Sequence, residues 1–150
     1  MGRAERDAVL RRRLEALYRH YDARFVDPDP LEYVRRQESD ADREVVGLVA
    51  SSLAFGGVPQ IKRSIETVLD VLGPRPAAAV AGLDPPRVLH RLRRFKHRWS
   101  TGRDVTCLLW FIRRMRETHG SVEAFFAAGH DAGAPHVGGG LASFTARALA

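Results

Sequence analysis

In 150 residues the chain has one cysteine, Cys107, and two lysines, Lys62 and Lys96. A single thiol cannot close an intramolecular disulfide, so a reducing cytoplasm is the simplest compartment. With so few lysines, 22 of the 24 basic residues are arginines, a bias that a GC-rich coding sequence produces without any selection for phosphate contacts. The net charge of +6 is therefore weak ground for a polyanionic partner, and the distribution of that charge counts for more. Long apolar runs are missing too. The longest lies near residues 105–112, too short to span a bilayer, and residues 1–13 mix both signs of charge where a signal peptide needs an apolar stretch.

Patterns that carry chemistry are equally scarce. No Gly-Lys-Ser/Thr follows the glycine pairs, so there is no P-loop, and no Gly-x-Ser-x-Gly nucleophile elbow occurs. His20, His90, His119, His130 and His136 stand at no zinc-ligand spacing, and His97 has no second ligand close by in sequence. No catalytic residue and no cofactor is indicated. Period-two alternation and hairpin pairs such as Asn-Gly are also absent, so no strand is expected.

What remains is helix. Apolar positions Leu10, Leu14, Leu17, Tyr18 and Tyr21 follow the three-four spacing of an inward face over residues 4–21. Asp29-Pro30 restarts a short helix, and Ser39 or Asp40 caps another that ends near Gly56-Gly57. A fourth runs from about Pro59 to Leu72 and stops at Gly73-Pro74. A short turn of helix follows at residues 77–80, and Asp84-Pro85-Pro86 opens the next helix. Thr101 and Asp104 form a capping box for a long helix to about Thr118. The first half of that helix is apolar on every side, which reads as a central buried helix containing Cys107 as a small core residue.

The expected fold is all-α, a compact bundle of at least six helices with short loops. Residues 1–126 form a helical domain, 127–140 a Gly/Ala-rich flexible linker, and 141–150 the start of a further helix with Leu141, Phe144 and Leu149 on one face. That last helix lacks a cap, as expected of an incomplete domain.

Charge is concentrated in one place. Residues 87–116 hold ten arginines and lysines against the single acid Asp104, an excess of nine, so the remainder of the chain sums to about −3. At its centre stand Arg91, Arg94, Lys96, His97 and Arg98, with Phe95 and Trp99 between them. Cations of this kind reach phosphate oxygens, and the two aromatics either stack on bases or anchor the segment to the core. DNA, RNA or another polyanion is the partner class, and no membrane is implied.

Two further constellations have competing readings. Asp40, Asp42 and Glu44 could bind a divalent cation or act as acid and base, with Asp40, Asp42 and His97 around a metal in a hydrolase, or simply stabilise a helix start. Gly47, Ala50, Ser51 and Ala54 share a small-residue face for close helix packing, with Ser52 bonding back to the Leu48 carbonyl. Gly56-Gly57 could instead cradle an anion. An interaction module without nucleic acid, docking through the small-residue face or the C-terminal helix, is the alternative function.

Three blocks carry a resemblance: Asp-Pro-Asp-Pro-Leu-Glu-Tyr (27–33), Asp-Arg-Glu-Val-Val-Gly-Leu-Val-Ala-Ser-Ser-Leu-Ala-Phe-Gly (42–56) and Phe-Lys-His-Arg-Trp (95–99). In this order they resemble a bacterial family of unknown function over roughly residues 17–126. Its longer members resemble helix-hairpin-helix DNA glycosylases in a second half with a Pro-Leu-Asp-Thr-His-like segment. The resemblance implies a DNA-associated helical domain, the N-terminal part of a glycosylase-like protein. It carries over no catalytic residue, because this chain has neither the hairpin glycines nor that Asp.

Overall fold

Proline and small polar side chains set where the helices begin. Ser39 accepts the Asp42 N–H, Asp84 the Arg87 N–H and Ser121 the Ala124 N–H, while Thr101 and Asp104 form a reciprocal capping box. Pro59, Pro76 and Pro85 occupy first-turn positions, where the missing N–H costs nothing. Gly73 and Gly120 close two helices at φ 76° and 84°.

The computed structural model describes residues 2–149. Among them are nine α-helices: α1 (Arg3–His20), α2 (Leu31–Arg35), α3 (Asp40–Ser52), α4 (Val58–Leu72), α5 (Pro76–Ala81), α6 (Pro85–Arg91), α7 (Gly102–His119), α8 (Val122–Ala127) and α9 (Gly138–Ala148). Between α6 and α7 sits a two-residue ladder of β1 (Lys96–His97) and β2 (Ser100–Thr101), antiparallel, with Lys96 opposite Thr101 and His97 opposite Ser100. No helix is long and apolar enough to cross a membrane among the described residues.

Helices α3, α4, α5 and α7 meet in the core. Val45, Val46, Val49, Ile65, Val68, Val80, Leu109 and Ile112 have no exposed surface. Full burial of such a side chain stabilises by about 1.5–3 kcal/mol. Two polar links tie the layers together. Asp42 on α3 accepts the Ala77 N–H of α5 at 2.7 Å, and Tyr33 on α2 donates to Glu66 on α4 at 2.5 Å. Burial, then that carboxylate, pushes the Tyr33 phenol up to about 12.

Several sequence expectations need correction. Helix α1 forms, but none of its residues is buried: Leu10, Leu14 and Leu17 remain about half exposed and Tyr18 more so. Its stripe faces solvent, and ring contacts are made at its C-terminal end, where His20 and the following Tyr21 meet Phe25 at 5.2 and 5.0 Å. Helix α7 is not buried all round; Cys107 is exposed and Trp110 is 43% exposed, because α5, α6 and α8 cover other faces. The hairpin was not expected at all, since two-residue strands are too short to show alternation. Ser51, not Ser52, donates back to the Leu48 carbonyl. Helix α9 begins at Gly138, three residues before the expected start, and packs Phe144 edge-on against Phe125 of α8.

Candidate functional site

The basic block runs from the end of α6 through the hairpin to the start of α7. Its path is set by the core. Leu92 is 1% exposed and pins the exit of α6, and Phe95 packs partly buried against the central cluster. The pleat of β1 then turns Lys96 outward and His97 inward.

His97 has no exposed surface. Its Nε2 lies 2.8 Å from the Phe55 carbonyl oxygen and its Nδ1 2.9 Å from Ser64 Oγ. A carbonyl can only accept, so Nε2 carries the hydrogen in that bond, and Nδ1 meets the Ser64 hydroxyl. Both nitrogens are occupied within the fold. Buried and bonded at both nitrogens, His97 fastens the hairpin to α4 and to the loop after α3 and presents no exposed surface to a phosphate.

Arg91 also serves the fold. Its guanidinium donates to the carbonyls of Asp70 and Val71 at 2.9 and 2.8 Å, satisfying two free acceptors at the C-terminus of α4. Arg94 and Lys96 are exposed and have no carboxylate within ion-pair distance among the described residues.

These side chains converge with α4 around a cleft of about 350 Å³. Arg63, Arg91, Arg94 and Lys96 line it together with Gln60 and Thr67, and every ionisable side chain in the lining is a cation. Arg63, like Arg94 and Lys96, lacks an acidic partner among the described residues. Sequence reasoning missed Arg63. Gln60, Arg63 and Thr67 stand at i, i+3 and i+7, a polar helix face visible in the sequence, but only the fold shows which segment that face meets.

The rest of the positive excess does not join this cleft. On α7, Arg113 pairs with Glu117 at 2.7 Å and Arg116 with Glu44 at 3.5 Å, while Arg114 lies 5.7 Å from the Trp110 ring centre. The ten cations of residues 87–116 thus do not form a single field. Three of them, joined by Arg63, surround the cleft.

Beside the cleft is an aromatic stack. Trp99, in the hairpin turn, lies parallel to Phe55 with ring centres 4.7 Å apart and 10° between planes. Phe55 in turn meets the His97 ring edge-on at 4.6 Å. Arg98, the other turn residue, has φ 56°, the only positive φ at a non-glycine position among the described residues. Its side-chain stem passes over Gly56, at φ 109°.

The acidic cluster has structural employment. Asp40 pairs with Arg43 at 2.7 Å. Asp42 is bound by the Ser39 hydroxyl and the Ala77 N–H, which together hold its carboxyl below the usual range. Glu44 accepts the Val122 and Glu123 N–H groups at the start of α8. Asp40, Asp42 and His97 form no common group, and no cluster of three His, Cys, Asp or Glu suited to a metal exists among the described residues. On the small-residue face, Val34 of α2 lies 3.9 Å from the position of a Cβ on Gly47, while Ser51 and Ala54 remain exposed.

A second cleft, about 430 Å³, lies between α7, α8 and α9, lined by Trp110, Phe111, Met115 and Phe125. Arg147 sits 4.2 Å over the Phe125 ring and donates to its carbonyl, so this cleft offers less free charge.

Residues 29–150 match a protein family described as a protein of unknown function, DUF2400. No curated protein and no solved structure matches the chain.

Proposed function

The chain belongs to the DUF2400 family, and from that premise we propose that it binds the phosphate backbone of nucleic acid in the cleft between α4 and the hairpin. Arg63, Arg94 and Lys96 are the contacting cations, with Arg91 as a fixed charge at the rim and Arg98 on the adjoining turn. One observation carries the reading: four cations from separate elements line one cleft that contains no acid. Like charges gathered without counter-charges repel one another, and a polyanion relieves that repulsion while releasing its own condensed counterions.

The resemblance to helix-hairpin-helix DNA glycosylases that the sequence blocks imply for longer members makes DNA the first ligand to try. In this reading the chain is the nucleic-acid-associated part of a glycosylase-like protein. The lining of the cleft holds no carboxylate, so binding alone is proposed.

Fluorescence anisotropy of a labelled oligonucleotide across a salt series tests it. Affinity should fall steeply with salt, and Arg94→Ala with Lys96→Ala should reduce the log–log slope by about 1.8 on a duplex (roughly 0.9 per lost contact) or about 1.4 on a single strand. Arg113→Ala, on α7, should leave the slope unchanged. Binding that ignores salt, or a double variant that binds like the parent, overturns the reading.

A further inference from the structure

Trp99 is 73% exposed at the tip of the hairpin, although its indole is among the largest apolar groups in the chain. An exposed aromatic on a mobile tip would be unremarkable, but this one is held. Phe55 lies flat beneath one face, 4.7 Å away and nearly parallel, so the opposite face alone is open to solvent. Phe55 itself is fixed, because its carbonyl meets His97 Nε2 at 2.8 Å and its ring rests against the imidazole. The turn beneath Trp99 is held in an unfavourable conformation, with Arg98 at φ 56°. A non-glycine residue keeps such a backbone only where its surroundings enforce it, and residues of this kind gather at binding sites.

We propose that the Trp99–Phe55 stack is a platform for an unpaired nucleobase, so that the ligand of the cleft is a single strand. This rests on the phosphate-binding reading above and narrows it to a substrate class. Inside a duplex both faces of each base are already covered by neighbours, and only the outer faces of the end pairs are free to lie on an indole. An unpaired base is free to do so, and its flanking phosphates then meet cations on the same hairpin: Arg98 beside the indole and Lys96 on β1, which leads into the cleft. Flat stacking tolerates any base, so affinity follows strandedness rather than sequence.

The test uses the full chain with the Trp110→Phe substitution, which leaves Trp99 as the sole tryptophan. Oligothymidylate and oligouridylate of about twelve nucleotides, a length within the usual single-strand site size, are compared with a duplex of equal length. The single strands should quench Trp99 emission and bind more tightly than the duplex. Relative strength of the two single strands distinguishes DNA from RNA as the source of the base. Trp99→Ala should weaken single-strand binding roughly 5- to 150-fold, the usual worth of one stacked base, and leave duplex binding unchanged. Trp99→Phe should restore most of it. If the duplex binds as well as the single strand, or Trp99→Ala affects neither, the platform is wrong. In that case a surviving loss on Arg94→Ala with Lys96→Ala keeps the cleft reading standing. If no oligonucleotide binds with salt dependence, both fall.

Discussion

Asp42 shows how one side chain in this fold serves two elements. It receives the Ser39 hydroxyl and the Ala77 N–H, and these two hydrogen bonds, in that order, lower its carboxyl from its usual 3.8 against the opposing effect of burial. A carboxyl lowered on folding contributes stability that is fully present above its unfolded value and is lost as pH falls through its folded one. Thermal or urea unfolding should therefore show a loss of stability beginning below about pH 4, with a smaller loss in Asp42→Asn. An unchanged acid limb in the variant would show that the linkage resides elsewhere. His97 teaches a different lesson at the same scale. Its place among five cations suggested a cation's task, and spacing alone could not reveal that the pleat turns it inward beneath Lys96. The sequence holds no sign of the Phe55 carbonyl 42 positions earlier that takes its Nε2.

At the scale of elements, caps and breakers were legible because they act locally. Ser39, Asp84, and Thr101 with Asp104 start the helices expected of them, and Gly73 ends the fourth. The hairpin was not legible, because its pairing depends on contacts with α4 and α7 rather than on its own two-residue strands. Gly102 marks where that hairpin passes into α7. A Cβ there would run into the backbone carbonyl of Leu92, which is itself fixed in the core. Gly102→Ala should cost about 3 kcal/mol, as backbone overlap in a packed region does, and circular dichroism melting would register it. Gly57→Ala, at a position with open space around it, is the control and should cost far less.

Over the whole molecule, burial and charge are distributed unevenly. The core lies between α2 and α8, while α1 adds eighteen helical residues and no buried one. Its three-four pattern predicted the helix correctly and its inward face wrongly, since periodicity reports that a face is apolar and not what covers it. Deleting residues 3–20 should lower the helical signal yet leave the melting temperature unchanged within about 2 °C. A larger fall would mean that α1 packs on the core after all. The concentration of positive charge was likewise visible in the sequence, but its partition was not. Carboxylates on α3 and α7 pair with Arg116 and Arg113, and those ion pairs separate them from the cations at the cleft. One surface feature gives the experimenter a handle on all of this. Cys107 is the sole thiol in the chain and lies exposed on α7. A maleimide dye will therefore attach at one known position on the folded protein, giving a uniformly tagged population without engineering, and its distance to any incoming strand becomes a ruler.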